Sequence, residues 1–224
     1  MTTAKAKAKT PLSSVAEAFE ELAECVKSQG KNGSQNTTEG NNNKQHKPEL
    51  ELETFCDACS LVSVLFSSLG LAFKFAECEY VAKVGSLLEA SKKVNTLQTI
   101  IDLDVANGSV RTAGSHSRNL RRVRQGLDLI RALFEQFLAN DEPSLKNAAT
   151  VAYSQVCAPF HTWTVRTAVY AGMYTLPSRD QLLQNLDETD KSAEKKMRRY
   201  IKASLPVIQY IDELYTSRNI SLDW

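Results

Sequence analysis

Between positions 113 and 138, AGSHSRNLRRVRQGLDLIRALFEQFL, six apolar residues recur at alternating intervals of three and four: Leu120, Val123, Leu127, Ile130, Phe134 and Phe137. Only a helix gathers that spacing into one stripe, and a stripe this long has to be covered by neighbouring elements. Ser115 has the chemistry of an N-cap, no proline interrupts the segment, and Gly126 is its one internal glycine after the start. At 100° per residue Arg118 and Arg122 lie roughly opposite the stripe, one above the other, with Arg121 beside them. Charges opposite an apolar stripe are ordinarily a solvated helix face. Clustered guanidinium groups also grip phosphate oxygens in pairs, either on a nucleic acid or on a smaller anion.

Total charge bears on that choice. The chain has 224 residues and a formal net charge of +1 at pH 7, whereas a dedicated nucleic-acid binder is usually strongly basic. No nucleic-acid partner is therefore expected, and an anion site has to be local. A chain of this length folded as one domain buries about 70% of its unfolded surface, enough for a large core or for a core with a cavity. Cys25, Cys56, Cys59, Cys78 and Cys157 are odd in number and fall in apolar helical patterns. They are expected as reduced, buried thiols in a cytoplasmic protein. Cys56 and Cys59 form a CxxC, but no second Cys or His pair stands at zinc-ligand spacing, so no metal site is expected. The longest apolar run, near Leu61 to Phe73, is broken by serines and a glycine and is too short to span a bilayer.

The remaining segments are also helical in pattern. Residues 1–10 (MTTAKAKAKT) predict a disordered basic tail, and 11–224 a single domain. Pro11 opens a helix to about Lys27 with Val15, Phe19, Leu22, Ala23 and Val26 on one face. Residues 28–48 are almost wholly small or polar and predict a flexible loop, in which His46 has no chemical role. A second helix runs from Glu49 to about Leu69. After Gly70 comes a third, whose Leu71, Phe73, Phe75, Ala76, Val81, Val84, Leu87 and Leu88 are too many for a narrow stripe. That helix is expected at the centre of the molecule. A helix over 94–106 ends at Asn107-Gly108, and Asn140–Pro143 is a loop. Further helices cover 144–156, 161–174 with Val165, Ala168, Val169, Gly172 and Met173 packing, 179–186, and 190–218. On the last, Met197, Tyr200, Ile201, Leu205, Ile208, Ile211 and Leu214 share the packing side. With no alternating strand pattern, the fold class is all-α, of about eight helices.

No GxSxG, P-loop, HExxH or GxGxxG is present, and there are three histidines. The chain is expected to bind rather than to catalyse, and without a cofactor.

Four blocks, FKFAECEYVAKV (73–84), AGSHSRNLRRVRQGLD (113–128), APFHTW (158–163) and GMYTLPSR (172–179), together with the closing SLDW, resemble the glycolipid transfer protein family. The likeness spans about residues 11–224 outside the 28–48 loop, and is nearest to the branch that transfers ceramide 1-phosphate. It implies a two-layer helical sandwich with one sphingolipid, its headgroup in a surface cleft and its chains in an apolar pocket between the layers. It further implies that Glu79 accepts from the ceramide amide N–H and that His161 donates to the amide carbonyl. Lys83, Arg118 and Arg122 match the positions that hold the phosphate. The glycolipid-selective branch has Trp where Arg118 stands, since a sugar face stacks on an indole while a phosphate requires charge and forked donors. The usual family acid is Asp, so Glu79 carries an extra methylene. Trp163 matches a position near the membrane-facing surface, and transient peripheral membrane contact is implied.

Each of these residues also has a plain structural use. Glu79 and Lys83 stand at i and i+4, where an exposed pair stabilises a helix by about 0.3–0.5 kcal/mol. A lone histidine before a helix is commonly a capping or core residue, and Trp163 can be a core aromatic. Two functions follow from the resemblance: intermembrane transfer of ceramide 1-phosphate, or a lipid-sensing module that signals through a protein partner. The sequence names no such partner.

Overall fold

The computed structural model describes residues 9–31, 49–139 and 144–224, and within these the side chains of 29–31 and Ala72 are not described. Residues 1–8, most of the 28–48 loop including His46, and 140–143 lie outside the described residues. The described chain forms nine α-helices: α1 (Pro11–Lys31), α2 (Leu52–Ser68), α3 (Lys74–Ser91), α4 (Leu97–Ala106), α5 (His116–Ala139), α6 (Leu145–Val156), α7 (Trp163–Gly172), α8 (Arg179–Asn185) and α9 (Asp190–Thr216). Short 3₁₀ turns at Leu71–Phe73, Ala158–Phe160 and Met173–Thr175 join them. No strand occurs among the described residues; an isolated antiparallel bridge between Glu51 and Thr96 ties the heads of α2 and α4.

The helix starts follow local chemistry. Ser115, Thr96, Ser144, Thr162, Ser178 and Thr189 each accept a backbone N–H from the first turn of the helix they precede. At Ser178 and Thr189 the side chain three residues on reaches back to complete a capping box. Gly114, at φ 86°, supplies the left-handed turn that feeds α5, a conformation costly for any residue with a Cβ.

Helix α5 is the hub. All six stripe residues are buried, and the helix packs on α3, α6 and α9, with α4 and α2 at its edges. Helix α1 lies along α9 and α2, and α2 along α3. Across α5 and α9, Arg124 Nε donates to Asp212 at 2.8 Å, and the same guanidinium reaches Asp128 at 2.7 Å.

Several expectations need correcting. Helix α1 continues four residues beyond Lys27, into the segment expected as loop. Thr10, placed in the tail by composition, is buried and donates to Glu188, which also receives Lys196 Nζ at 2.5 Å. Cys56, Cys59 and Cys157 are buried free thiols, but Cys25 and Cys78 are exposed. Helix α3 is not central: its Phe75 is 78% exposed and Val81 is exposed as well, and Leu71, expected in the same helix, is 91% exposed in the 3₁₀ turn before it. Its surplus of apolar residues divides between the core and the surface. Helix α7 buries none of its residues; of the expected packing set only Met173, just past its end, is in the core. Leu205 on α9 is likewise exposed, and Ala203, Ser204 and Val207 are buried near it instead.

Candidate functional site

A cavity of about 590 Å³ opens between α3, α5, α6 and α7. Its wall combines Phe66, Phe73, Phe75, Tyr80, Leu129, Val165 and Val169 with a cluster of charged and polar side chains. Glu79, Lys83, Arg118, Arg122 and His161 all line it. Five residues scattered over 83 positions are thus brought together, because α3 and α6 both pack on α5 and the 3₁₀ turn after α6 sets Phe160 against Arg121 of α5. Trp163 is outside the cavity wall, 72% exposed at the start of α7.

Three cations face one carboxylate here. Lys83 Nζ is 3.5 Å from Glu79 Oε2, a loose helical pair with both side chains partly in solvent. Arg118 is oriented by its own loop, with Nη1 donating to the Arg111 carbonyl at 2.8 Å. Arg111 in turn stacks over the terminal Trp224 at 5.5 Å and donates to Ser221, so the closing SLDW braces the loop that braces Arg118. Arg122 Nη1 donates to Gln125 Oε1 at 2.9 Å, and Gln125 Nε2 donates to the Val156 carbonyl at the end of α6. Burial lowers the Arg122 pKa and the neighbouring Arg118 charge lowers it further. A guanidinium so placed stays charged but is short of solvation, which favours an incoming anion.

His161 faces these cations. Its Nδ1 is 2.8 Å from the Tyr153 hydroxyl, and burial, then the Arg122 charge, depress its pKa. Cys157, beside it in the wall, is pushed up to about 12 by burial and is an inert thiol rather than a nucleophile. Among the described residues no group of three or more His, Cys, Asp or Glu side chains could hold a metal ion, and no helix is long and apolar enough to cross a membrane.

The other two arginines of the cluster belong to the scaffold. Arg121 is buried, donates to the Leu222 carbonyl at 2.9 Å and lies over the Phe160 ring at 5.2 Å. Arg124 is held by Asp128 and Asp212. Among the described residues these two arginines therefore do not extend Arg118 and Arg122 into a continuous basic stripe.

A cationic rim over an apolar cavity in an all-α fold is the arrangement that the sequence resemblance implies, and comparison with known proteins bears on it. The family model for glycolipid transfer protein matches residues 50–188. The chain belongs to the glycolipid transfer protein family. It is 63% identical over 222 residues to an Arabidopsis thaliana protein described as an ACD11 homolog, covering 99% of this chain and 92% of that one. Accelerated cell death 11 from the same plant is 44% identical over 222 residues, with 99% and 100% covered. The crystal structure of a mutant of that protein complexed with ceramide-1-phosphate superposes with a TM-score of 0.86 over 97% of this chain and 100% of the other, at 44% identity. The fold is the all-α fold of the family.

For this family member, two parts of the site lay beyond sequence reasoning. Tyr153 and Gln125 hold His161 and Arg122, and nothing in a helical stripe marks either as a site residue. Gly126 carried a signal, as a lone glycine inside a long helix. A Cβ there would meet Tyr80 Cδ2 at 2.7 Å, so the absent side chain is what seats the Tyr80 ring against α5.

Proposed function

We propose that this protein carries ceramide 1-phosphate between membranes as a non-enzymatic transfer protein. The carrying observation is the convergence of Lys83, Arg118 and Arg122, from two helices, on the rim of a cavity whose wall is mostly apolar. In this reading those three side chains hold the phosphate and replace its hydration. Glu79 accepts from the amide N–H and His161 donates to the amide carbonyl. The Glu79–Lys83 contact is long and partly exposed, so Glu79 can exchange it for the amide at little cost. The alkyl chains pass down between Tyr80, Leu129, Val165 and Val169. Each methylene kept from water is worth about 0.8 kcal/mol, so a chain left outside would return the lipid to the bilayer.

Trp163, Leu71, Phe75 and Tyr174 form the membrane-facing side. All four are large and mostly exposed, Tyr174 at 76%, and the turns carrying Leu71 and Tyr174 both touch α7. Transient peripheral contact of a cytoplasmic protein with a bilayer follows from such a patch.

The test is transfer of fluorescent ceramide 1-phosphate between vesicles at substoichiometric protein. Arg118→Glu or Arg122→Glu should abolish it while the helical circular dichroism is retained. Transfer of galactosylceramide equal to that of ceramide 1-phosphate by the unaltered protein would overturn the assignment of the cations to a phosphate.

A further inference from the structure

His161 has two ring nitrogens, and only one of them can face a ligand carbonyl as a donor. Its Nδ1 is 2.8 Å from the Tyr153 hydroxyl. No hydrogen bond among the described residues uses Nε2, and the ring is part of the cavity wall. The Tyr153 hydroxyl has no other hydrogen-bond partner among the described residues: donating to Nδ1 pairs its proton, whereas accepting from an Nδ1–H would leave that proton unpaired in a mostly apolar wall. Burial raises the Tyr153 pKa to about 12, which keeps that proton on the phenol, and burial also favours neutral His161. A neutral imidazole that accepts at Nδ1 carries its hydrogen on Nε2.

The tyrosine is itself fixed. Its ring meets Tyr170 of α7 edge-on, at 5.4 Å between centroids and 90° between planes, and lies 5.6 Å from the imidazole. Tyr153 projects from α6, while His161 follows the 3₁₀ turn that ends at Phe160. One hydroxyl therefore sets both the ring orientation and the position of the hydrogen.

We infer that Tyr153 is a positioning residue that holds His161 as the Nε2–H tautomer, so that the imidazole presents a donor to the cavity. The opposite tautomer would aim a lone pair at the ceramide carbonyl and repel it. This inference rests on the headgroup role proposed for His161, but the tautomer is measurable without any lipid.

The full chain labelled with ¹⁵N-histidine, with the His161 signals assigned by their loss in His161→Asn, gives the two-bond ¹⁵N–¹H coupling pattern of each tautomer. The unaltered protein should show a single Nε2–H form at His161. Tyr153→Phe keeps the ring and removes the hydroxyl, and should let the Nδ1–H form appear. Uptake of ceramide 1-phosphate from doped phosphatidylcholine vesicles should then weaken roughly three- to tenfold, the usual weight of one hydrogen bond. In a His161→Asn background the same substitution should add no further loss. An unchanged coupling pattern in Tyr153→Phe, or an undiminished loss in the His161→Asn background, overturns the inference and leaves Tyr153 as packing. Normal uptake by His161→Asn alone would instead overturn the amide role of His161, while the lipid-free coupling pattern still decides what Tyr153 does to the ring.

Discussion

Helices α5 and α7 border the same cavity and are held in opposite ways. Twelve residues of α5 are buried, including Ser117, Asn119 and Gln125 among its polar side chains. None of α7 is buried, although Val165 and Val169 reach the cavity wall. A buried apolar side chain contributes about 1.5–3 kcal/mol, so α5 cannot move without the core, whereas α7 is attached by its ends, by Val169 and by Tyr170, which meets Tyr153 edge-on and the Ser154 hydroxyl of α6. Arg118 and Arg122 therefore sit on the rigid wall and the exposed Trp163 on the weakly held one. An anion site needs fixed geometry, since guanidinium and phosphate interact through paired, directed hydrogen bonds. A surface that meets a bilayer needs only area and shallow burial.

The largest expected effect separates two adjacent arginines on the rigid wall. Arg122→Ala should reduce ceramide 1-phosphate transfer by more than tenfold and leave the melting temperature nearly unchanged. Arg121→Ala should leave the cavity wall intact but strip the Leu222 carbonyl of its donor. That costs about 2 kcal/mol, a fall in melting temperature of roughly 4–8 °C. Both follow from one thermal melt and one transfer assay per variant. If Arg121→Ala removed transfer at unchanged stability, the division of the cluster would be wrong.

Next in size is Gly126→Ala. The new Cβ falls 2.7 Å from Tyr80, so the ring must move toward the cavity. Overpacking of this kind costs about 1–3 kcal/mol, read as a lower denaturation midpoint. A loss of uptake for long-chain ceramide 1-phosphate larger than for short-chain should accompany it.

On the weakly held wall, Trp163→Ala should change stability by no more than about 0.5 kcal/mol, the range for exposed sites. It should nonetheless lower vesicle partitioning several-fold in a sedimentation assay. A large loss of stability would show α7 to be packed more firmly than its exposure indicates.

The smallest effect is on pH dependence. Burial and the Arg122 charge hold His161 below its ordinary 6.5 in the folded protein, so the unfolded chain binds the proton more readily. Stability from this group is present above about pH 6.5 and declines as the pH falls through that value. His161→Asn should flatten the acid side of a stability-against-pH curve between pH 7 and 5, measured by chemical denaturation.

Much of this molecule is local in origin. The stripe of α5, the caps at Ser115, Ser144 and Ser178, and the turn at Asn107-Gly108 depend on residues within a few positions of one another, and helical periodicity exposes them directly. The five cavity residues were accessible through family motifs, because those motifs fix the places of the site residues in the chain even where the type differs, as at Glu79. What periodicity supplies is an angle about a helix's own axis, and it carries no information on what stands at that angle. Whether Arg121 meets Leu222, 101 positions away, or Arg122 meets open cavity is decided by where the C-terminal segment lies against α5. The outward apolar residues of α3, the unburied length of α7 and the approach of Tyr153 to His161 have the same origin. The sequence alone determined the helices, several of their caps and the residue types at the site. Tertiary packing decided which charged groups were satisfied inside the fold and which were left for a ligand, because desolvation and pairing depend on neighbours distant in the chain.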